Sequence, residues 1–225
     1  PELNAGSTLL KALSLLKQPL ETEKAASAEA FLAIAEALDQ VYQERLETMG
    51  DVPGGRDMSW TTHLCVIDSQ GSMVSLTQTL LSIFGSKLVL PQTGILMNNG
   101  LMWFNPEPGH PNSLAPDKHC LANTCPVIGL NDSGGMALGA SGGRRIMPAV
   151  LQLLYLLIDG EMSLEEAFHQ PRIDHSGGDQ VVVDRRLQKE VLQKIEEKFS
   201  CITAENGAFP LYFACPSAVL KNGNQ

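Results

Sequence analysis

With 225 residues, 44% of them hydrophobic, the chain can bury a substantial core as one ordinary domain or two small ones. Its 25 acidic residues outnumber 16 basic ones, and the resulting net charge of -9 repels a phosphate backbone; no Lys/Arg stripe interleaved with aromatics offsets it, so nucleic acid is excluded as a partner. No apolar run reaches the length of a membrane span, and the opening PELNAGST lacks the charged and apolar regions of a signal peptide, so no membrane partner is expected.

Helices are predicted over STLLKALSLLK and over SAEAFLAIAEALDQVYQERLETMGD, where Phe31, Ile34, Ala35, Leu38, Val41 and Tyr42 recur at helical spacing and Gly50 is the expected stop. VPGGRDMSW is a Pro/Gly linker, after which the pattern switches to period two. TTHLCVI and MVSLTQT alternate on either side of DSQG and form a predicted β-hairpin. Farther along, GMALGA is a predicted strand and RIMPAVLQLLYLLIDG an apolar helix, with Gly142 and Gly143 between them. Ser163 and Glu166 make a capping box for LEEAFHQ, which Pro171 ends. QVVVD is a further strand, and Leu187, Val191, Ile195 and Phe199 are the inner stripe of a last helix. The fold class is therefore mixed α/β with an antiparallel component.

Turn chemistry sets the hairpin register. If Ser69, Gln70 and Gly71 form a three-residue loop with Gly71 in the left-handed position, Asp68 pairs with Ser72 and Thr61 lies opposite Thr79 on one face. Threonine favours strands, so the pair alone is not a site. The second constellation is GASGGRRI: a strand running into Gly142 and Gly143 and then a helix presents unobstructed N–H groups to an anion, whether phosphate, carboxylate or the oxyanion of acyl transfer. A phosphate loop is disfavoured, because the lysine followed by Ser/Thr is missing and the GxGxxG spacing is not met. Cys65, Cys120, Cys125, Cys201 and Cys215 are odd in number, lack a CxxC pair and are expected to be reduced core thiols. His63, His110, His119, His169 and His175 are scattered, so neither a metal nor another cofactor is expected.

TTHLCVID, FGS, TGILMNN, PGHPNSLAPDKHCL, LGASGGRRI and PRIDH occur in the order and spacing of the gamma-glutamyltransferase family of N-terminal nucleophile hydrolases, which the chain resembles over residues 61 to 175. The resemblance implies a four-layer αββα sandwich of which this chain supplies part. It implies a precursor that cuts itself between Trp60 and Thr61, through attack of Thr61 on the Trp60 carbonyl and release of the ester to water. Thr61 then serves as nucleophile, with its freed α-amino group as base. Thr79 matches the threonine that holds that amino group, and Gly142 and Gly143 match the oxyanion-hole glycines. His63 is expected to support the first strand, and Arg144 or Arg145 to brace the glycine loop. Residues 1–60 would be the helical tail of the large subunit and linker, and residues 61–225 the small-subunit catalytic domain, incomplete at its C-terminus. The implied partners are a small-molecule amide and the missing large-subunit portion of the same precursor, giving a heterodimer with further dimerisation left open. The compartment is also left open, with the cytoplasm favoured over the periplasm or the exterior.

Recognition is where the sequence departs from the family. The glutamine and acid that receive a substrate α-ammonium are here Gly100 and Trp103, the serine pair for the α-carboxylate is Ala122 and Asn123, and Leu81 replaces a polar residue just beyond Thr79. Each lost charge-assisted contact costs about 1.5–3 kcal/mol, roughly tenfold or more in affinity. The expected substrate is therefore an amide whose acyl group lacks an α-ammonium: a small acid amide such as oxamate, favoured because the indole fills space, or a glutaryl-type acyl. The alternatives are a genuine gamma-glutamyltransferase or glutathione hydrolase, an unprocessed non-catalytic binding module, and a glycine loop that binds nucleotide.

Overall fold

The computed structural model describes residues 3–16, 25–49, 60–132, 134–207 and 211–222. The predicted helix stop at Gly50 and the linker preceding Trp60 lie outside the described residues. Two helices lead the chain, α1 over Gly6–Leu16 and α2 over Ala28–Thr48. The Ser27 side chain accepts the Ala30 N–H to cap α2, and every predicted inner residue of that helix is buried. Strands β1 (Thr61–Ile67) and β2 (Met73–Thr79) form an antiparallel hairpin with period-two burial along both strands.

The central sheet has the order β3-β4-β8, from Val127–Asn131, Gly134–Ser141 and Cys215–Asn222, all antiparallel. One face of this sheet packs on the hairpin, and α3 (Ile146–Ile158) packs against β4 and β8. With α1 against α2 and α3, the layers run helices, central sheet, hairpin. The outer face of the hairpin, Leu64, Val66, Val74 and Leu76, is exposed among the described residues. That is the side on which a four-layer sandwich carries its remaining helices.

α3 is apolar on all sides because it is buried on all sides from Ile146 to Leu156. Its polar residue Gln152 is satisfied twice over: Nε2 donates to the carbonyls of Pro148 and Ile173 at 2.8 Å each, and Oε1 accepts the Ile173 N–H at 2.9 Å. These bonds pin β5 (Ile173–Asp174) to the helix. The third sheet has the order β5-β6-β7. Its β6 (Gln180–Asp184), α5 (Lys189–Glu196) and parallel β7 (Ser200–Ala204) make a crossover unit. Between α3 and β5, α4 (Leu164–His169) carries the predicted capping box, with both reciprocal Ser163–Glu166 bonds present.

Candidate active site

The hairpin turn is built by Asp68, whose carboxylate accepts the N–H groups of Gln70 at 2.9 Å and Ser72 at 2.8 Å. The bond from the Ser72 backbone is the largest cause holding its carboxyl below the usual range. Gly71 takes φ 89°, the left-handed value the loop requires, and the resulting register places Thr61 opposite Thr79 and His63 opposite Thr77. The Thr61 hydroxyl donates to Thr79 Oγ1 at 3.1 Å.

Beyond Thr79 the chain turns sharply, and Leu81 sits at φ 67°. A left-handed leucine costs roughly 1–2 kcal/mol, so the conformation must be held by its surroundings. The Leu81 N–H donates to Thr79 Oγ1 at 2.8 Å, and the Leu81 carbonyl accepts the Trp60 N–H at 3.0 Å. The Trp60 carbonyl accepts the Leu80 N–H and the Thr79 hydroxyl, both at 3.2 Å. Asn99, the second of the paired asparagines, clamps the same segment from behind: its N–H donates to the Leu80 carbonyl, its Oδ1 accepts the Ser82 N–H at 3.0 Å, and its Nδ2 donates to Ser82 Oγ at 2.7 Å.

Contacts between the hairpin and β4 show where the glycine turn lies. Gly135 faces Met73 near the closed end of the hairpin, the Leu138 carbonyl accepts from Ser75 Oγ at 2.9 Å, and Gly139 lies directly beneath the His63 ring. β4 thus runs toward the open end, and its continuation, Gly142 at φ 136° and Gly143 at φ 62°, arrives on the Thr61 side of the sandwich. A Cβ on Gly142 would sit 2.9 Å from the Ala214 backbone, so both conformation and space require glycine there. Tyr42 of α2 supports this turn, its hydroxyl donating to the Arg144 carbonyl at 2.5 Å. His63 bridges Thr77 Oγ1 (2.8 Å from Nδ1) and Cys65 Sγ (3.1 Å from Nε2), and burial lowers its pKa.

An open cleft of about 990 Å³ lies beside Thr61. Trp103 and Ala122 line it, together with Trp60, Ile83, Ile95 and Met97, and no charged side chain is among its described walls. Leu81, Gly100, Asn123, Gly142 and Gly143 do not line it. Gly100 and Trp103 share a short 3₁₀ turn in which the indole lies against Gly100. Asn123 faces the other way, its Oδ1 accepting from Arg45 Nη2 at 2.9 Å. The five cysteines are unpaired, but the expectation of core thiols holds for Cys125 alone, whose burial pushes its thiol up to about 12; Cys65, Cys120 and Cys201 are half-buried and Cys215 is exposed.

Several site residues escaped the sequence reading. Leu80 contributes only its backbone, and Asn99 was visible only as half of an unassigned Asn pair. Arg45, 2% exposed, reaches from α2 to the Ala122 carbonyl at 2.8 Å and to Asn123. Asn112 ties two walls of the cleft together, its Nδ2 donating to the Trp103 carbonyl at 2.7 Å and its Oδ1 accepting the Leu121 N–H at 2.9 Å.

Comparison with known proteins gives the family and the fold. Residues 53–209 match the family described as Gamma-glutamyltranspeptidase. The chain is 39% identical over 143 residues to the Acylase ACY 1 proenzyme of Pseudomonas sp. (strain SE83), an overlap covering 63% of this chain and 25% of that protein. It is 30% identical over 176 residues to the Glutathione hydrolase proenzyme of Escherichia coli (strain K12), covering 71% and 30% respectively. The chain thus spans about a quarter to a third of these curated relatives. Among solved structures, the Gamma-glutamyltranspeptidase from Pseudomonas nitroreducens complexed with L-DON superimposes with a TM-score of 0.60 at 26% identity, over 73% of this chain and 91% of that one. The cephalosporin acylase from Bacillus halodurans reaches a TM-score of 0.78 at 20% identity, over 99% of this chain and 46% of that one, and so shares the fold.

Proposed function

The chain belongs to the gamma-glutamyltranspeptidase family, and from that premise we propose that it is the catalytic part of an N-terminal nucleophile amide hydrolase whose acyl substrate carries no α-ammonium. Residues 1–60 are the tail of the large subunit and residues 61–225 belong to the small subunit, separated by self-cleavage before Thr61. The freed α-amino group, with an ordinary pKa near 7.7–8.0, takes the Thr61 hydroxyl proton as Oγ1 attacks the substrate amide carbon. The N–H groups of the Gly142–Gly143 turn stabilise the oxyanion, the amine leaves with the proton, and water resolves the acyl-enzyme. Thr79 orients the nucleophile.

The observation that carries the substrate class is the uncharged cleft. Where a gamma-glutamyl site holds an acid for the α-ammonium, this one has Trp103 lining an uncharged wall with Ile83, Ile95, Met97 and Asn98. A cation placed against that wall would be desolvated without a partner from this part of the chain. An acyl group such as oxalyl or glutaryl brings no cation to that wall, and its carboxylate takes its partner from outside the cleft's described walls. The likeness to the Escherichia coli glutathione hydrolase proenzyme favours a second reading, a genuine gamma-glutamyl enzyme whose acid comes from outside this chain.

The test uses the full-length precursor. Denaturing mass analysis is expected to find two pieces separated at Trp60–Thr61, and the processed enzyme should turn over oxamate or glutaryl anilide faster than gamma-glutamyl anilide. Rapid turnover of the gamma-glutamyl compound would sink the substrate class, and a permanently whole chain without amidase activity would leave a binding module.

A further inference from the structure

We propose that Thr79 and the Leu80 N–H form a dedicated oxyanion and proton-relay site for the self-cleavage step, separate from the Gly142–Gly143 turn. This rests on the reading of Trp60–Thr61 as a cleavage junction, and it assigns Thr79 a chemical role in processing that precedes its role beside the mature nucleophile.

Hydrogen-bond chemistry fixes the direction of the relay. The Trp60 carbonyl oxygen has no proton, so in its 3.2 Å contact with Thr79 the threonine hydroxyl must donate. Thr79 has one proton, now committed, and its lone pairs accept the Leu81 N–H at 2.8 Å and the Thr61 hydroxyl at 3.1 Å. The nucleophile's proton therefore points at Thr79, and Thr79's proton points at the scissile carbonyl. The Leu80 N–H at 3.2 Å is the second donor on that oxygen. Two donors on the carbonyl of the bond to be cut form an oxyanion hole in the uncut chain.

The strain at Leu81 has its explanation here. At φ 67° the backbone turns so that successive N–H groups serve different acceptors, Leu80 the Trp60 oxygen and Leu81 the Thr79 hydroxyl, while the Leu81 carbonyl holds the Trp60 N–H. An extended residue would aim the two N–H groups to opposite sides of the strand. Asn99 holds this turn through Leu80 and Ser82.

The step balances without a charged base. Thr61 Oγ1 bonds to the Trp60 carbonyl carbon, its proton passes to Thr79, and the Thr79 proton passes to the Trp60 oxygen, which takes the carbonyl π pair. The C–N bond of this neutral adduct then breaks, its electron pair goes to the Thr61 nitrogen, and the adduct's hydroxyl proton is carried by water to that nitrogen as C=O re-forms. The product is an ester on Thr61 with a free α-amino group. Water adds to the ester carbon, Thr61 Oγ1 leaves with one of its protons, and Trp60 departs as a carboxylic acid. A free α-amino group is not needed for the first step, which the uncut chain could not supply.

The test compares full-length precursors carrying Thr79→Val, Thr79→Ser and Thr61→Ala with the unaltered one, following cleavage by denaturing mass analysis with and without hydroxylamine, which cuts esters. Thr79→Val, nearly the same shape, is expected to slow cleavage at least about 100-fold, as loss of an oxyanion donor does. Hydroxylamine should not rescue it, since no ester forms, whereas Thr79→Ser should cleave within about tenfold of the unaltered rate. Cleavage of Thr79→Val at the unaltered rate, or its rescue by hydroxylamine, would overturn the proposal, the latter by placing Thr79 in ester hydrolysis alone. Should thermal melting show Thr79→Val unfolded, a folded Thr79→Ser chain as inert as Thr61→Ala overturns it equally. An unaltered precursor that never cleaves removes the junction itself, an outcome distinct from all of these.

Discussion

The open end of the hairpin and the far wall of the cleft face the same space but are built from different materials. At the hairpin, nearly every decisive group is backbone or a threonine hydroxyl: the N–H groups of Leu80 and Leu81, the Trp60 carbonyl, and the glycine turn. Across the cleft, the deciding groups are side chains, Trp103 above all. Backbone geometry survives side-chain replacement, and Leu81 demonstrates it, holding a left-handed φ of 67° with a residue poorly suited to it because hydrogen bonds at both its N–H and its carbonyl demand it. Side-chain recognition has no such protection. A fold of this kind can therefore keep its reaction while its substrate changes.

The largest expected effect would break the hairpin side of that contrast. Gly142→Ala places a Cβ 2.9 Å from Ala214 in a backbone region that L-residues rarely adopt. It should lower turnover about 100-fold or more for every acyl substrate alike, as loss of oxyanion stabilisation does. Steady-state kinetics on two unlike anilides checks it, and a change confined to one substrate would move the glycine turn to the recognition side.

Arg45 joins the two regions, because it fixes the Ala122 wall and Asn123 behind it from a helix N-terminal to the proposed cleavage junction. Arg45→Met leaves the Ala122 carbonyl and Asn123 Oδ1 without that donor, at about 1–3 kcal/mol each. The expected result is a clear fall in denaturation midpoint together with altered discrimination between acyl groups, while cleavage at Trp60–Thr61 persists. The same bonds, with the Tyr42 hydroxyl donating to the Arg144 carbonyl at 2.5 Å and His175 Nε2 donating to Asp39 Oδ1 at 3.0 Å, predict that the two pieces of a cleaved chain stay associated until denatured.

Trp103→Asp sharpens the contrast from the recognition side. It sets a carboxylate in a cleft whose described walls have none, and should raise the gamma-glutamyl over glutaryl turnover ratio roughly tenfold, about 1.4 kcal/mol. Self-cleavage should be unaffected, since the hydrogen bonds described above around Trp60, Thr61 and Thr79 run among these residues, Leu80 and Leu81 rather than to Trp103. An unchanged ratio would mean that the indole is packing rather than specificity.

The same division explains what could be read from sequence. The hairpin register was legible because Asp68 and Gly71 fix the turn locally, and every pair follows by counting. The other two sheets were only partly legible: β3, β5, β7 and β8 were not anticipated. Val127–Asn131 is interrupted by Gly129, Ser200–Ala204 is short and abuts a helix, and Cys215–Asn222 opens with Cys-Pro and finds its partner strand far away in the chain. Arg45 was not singled out, because the partners that hold it in the interior, Thr8 of α1 and the 122–123 loop, are distant in the chain. Leu80 carried no signal, since its backbone N–H is common to any residue but proline.

The smallest effect concerns the support under the hairpin. His63 has a pKa lowered by burial, so the folded chain binds a proton there less readily than the unfolded chain. Between the folded value and the ordinary value of about 6.5 the unfolded state holds more protons, and stability rises with pH. The contribution is complete above that ordinary value and is lost as pH falls through it toward the folded value. Charging the ring would also disturb its contacts with Thr77 and Cys65, two register positions from Thr61 and Thr79 on the same face. His63→Gln keeps a polar group against Thr77 and removes the titration. Its denaturation midpoint should therefore fall less than that of the unaltered protein between pH 7 and pH 5. Equal slopes would show that His63 does not couple the strand that carries Thr61 to pH, and that the hairpin's geometry is independent of the charge of its support.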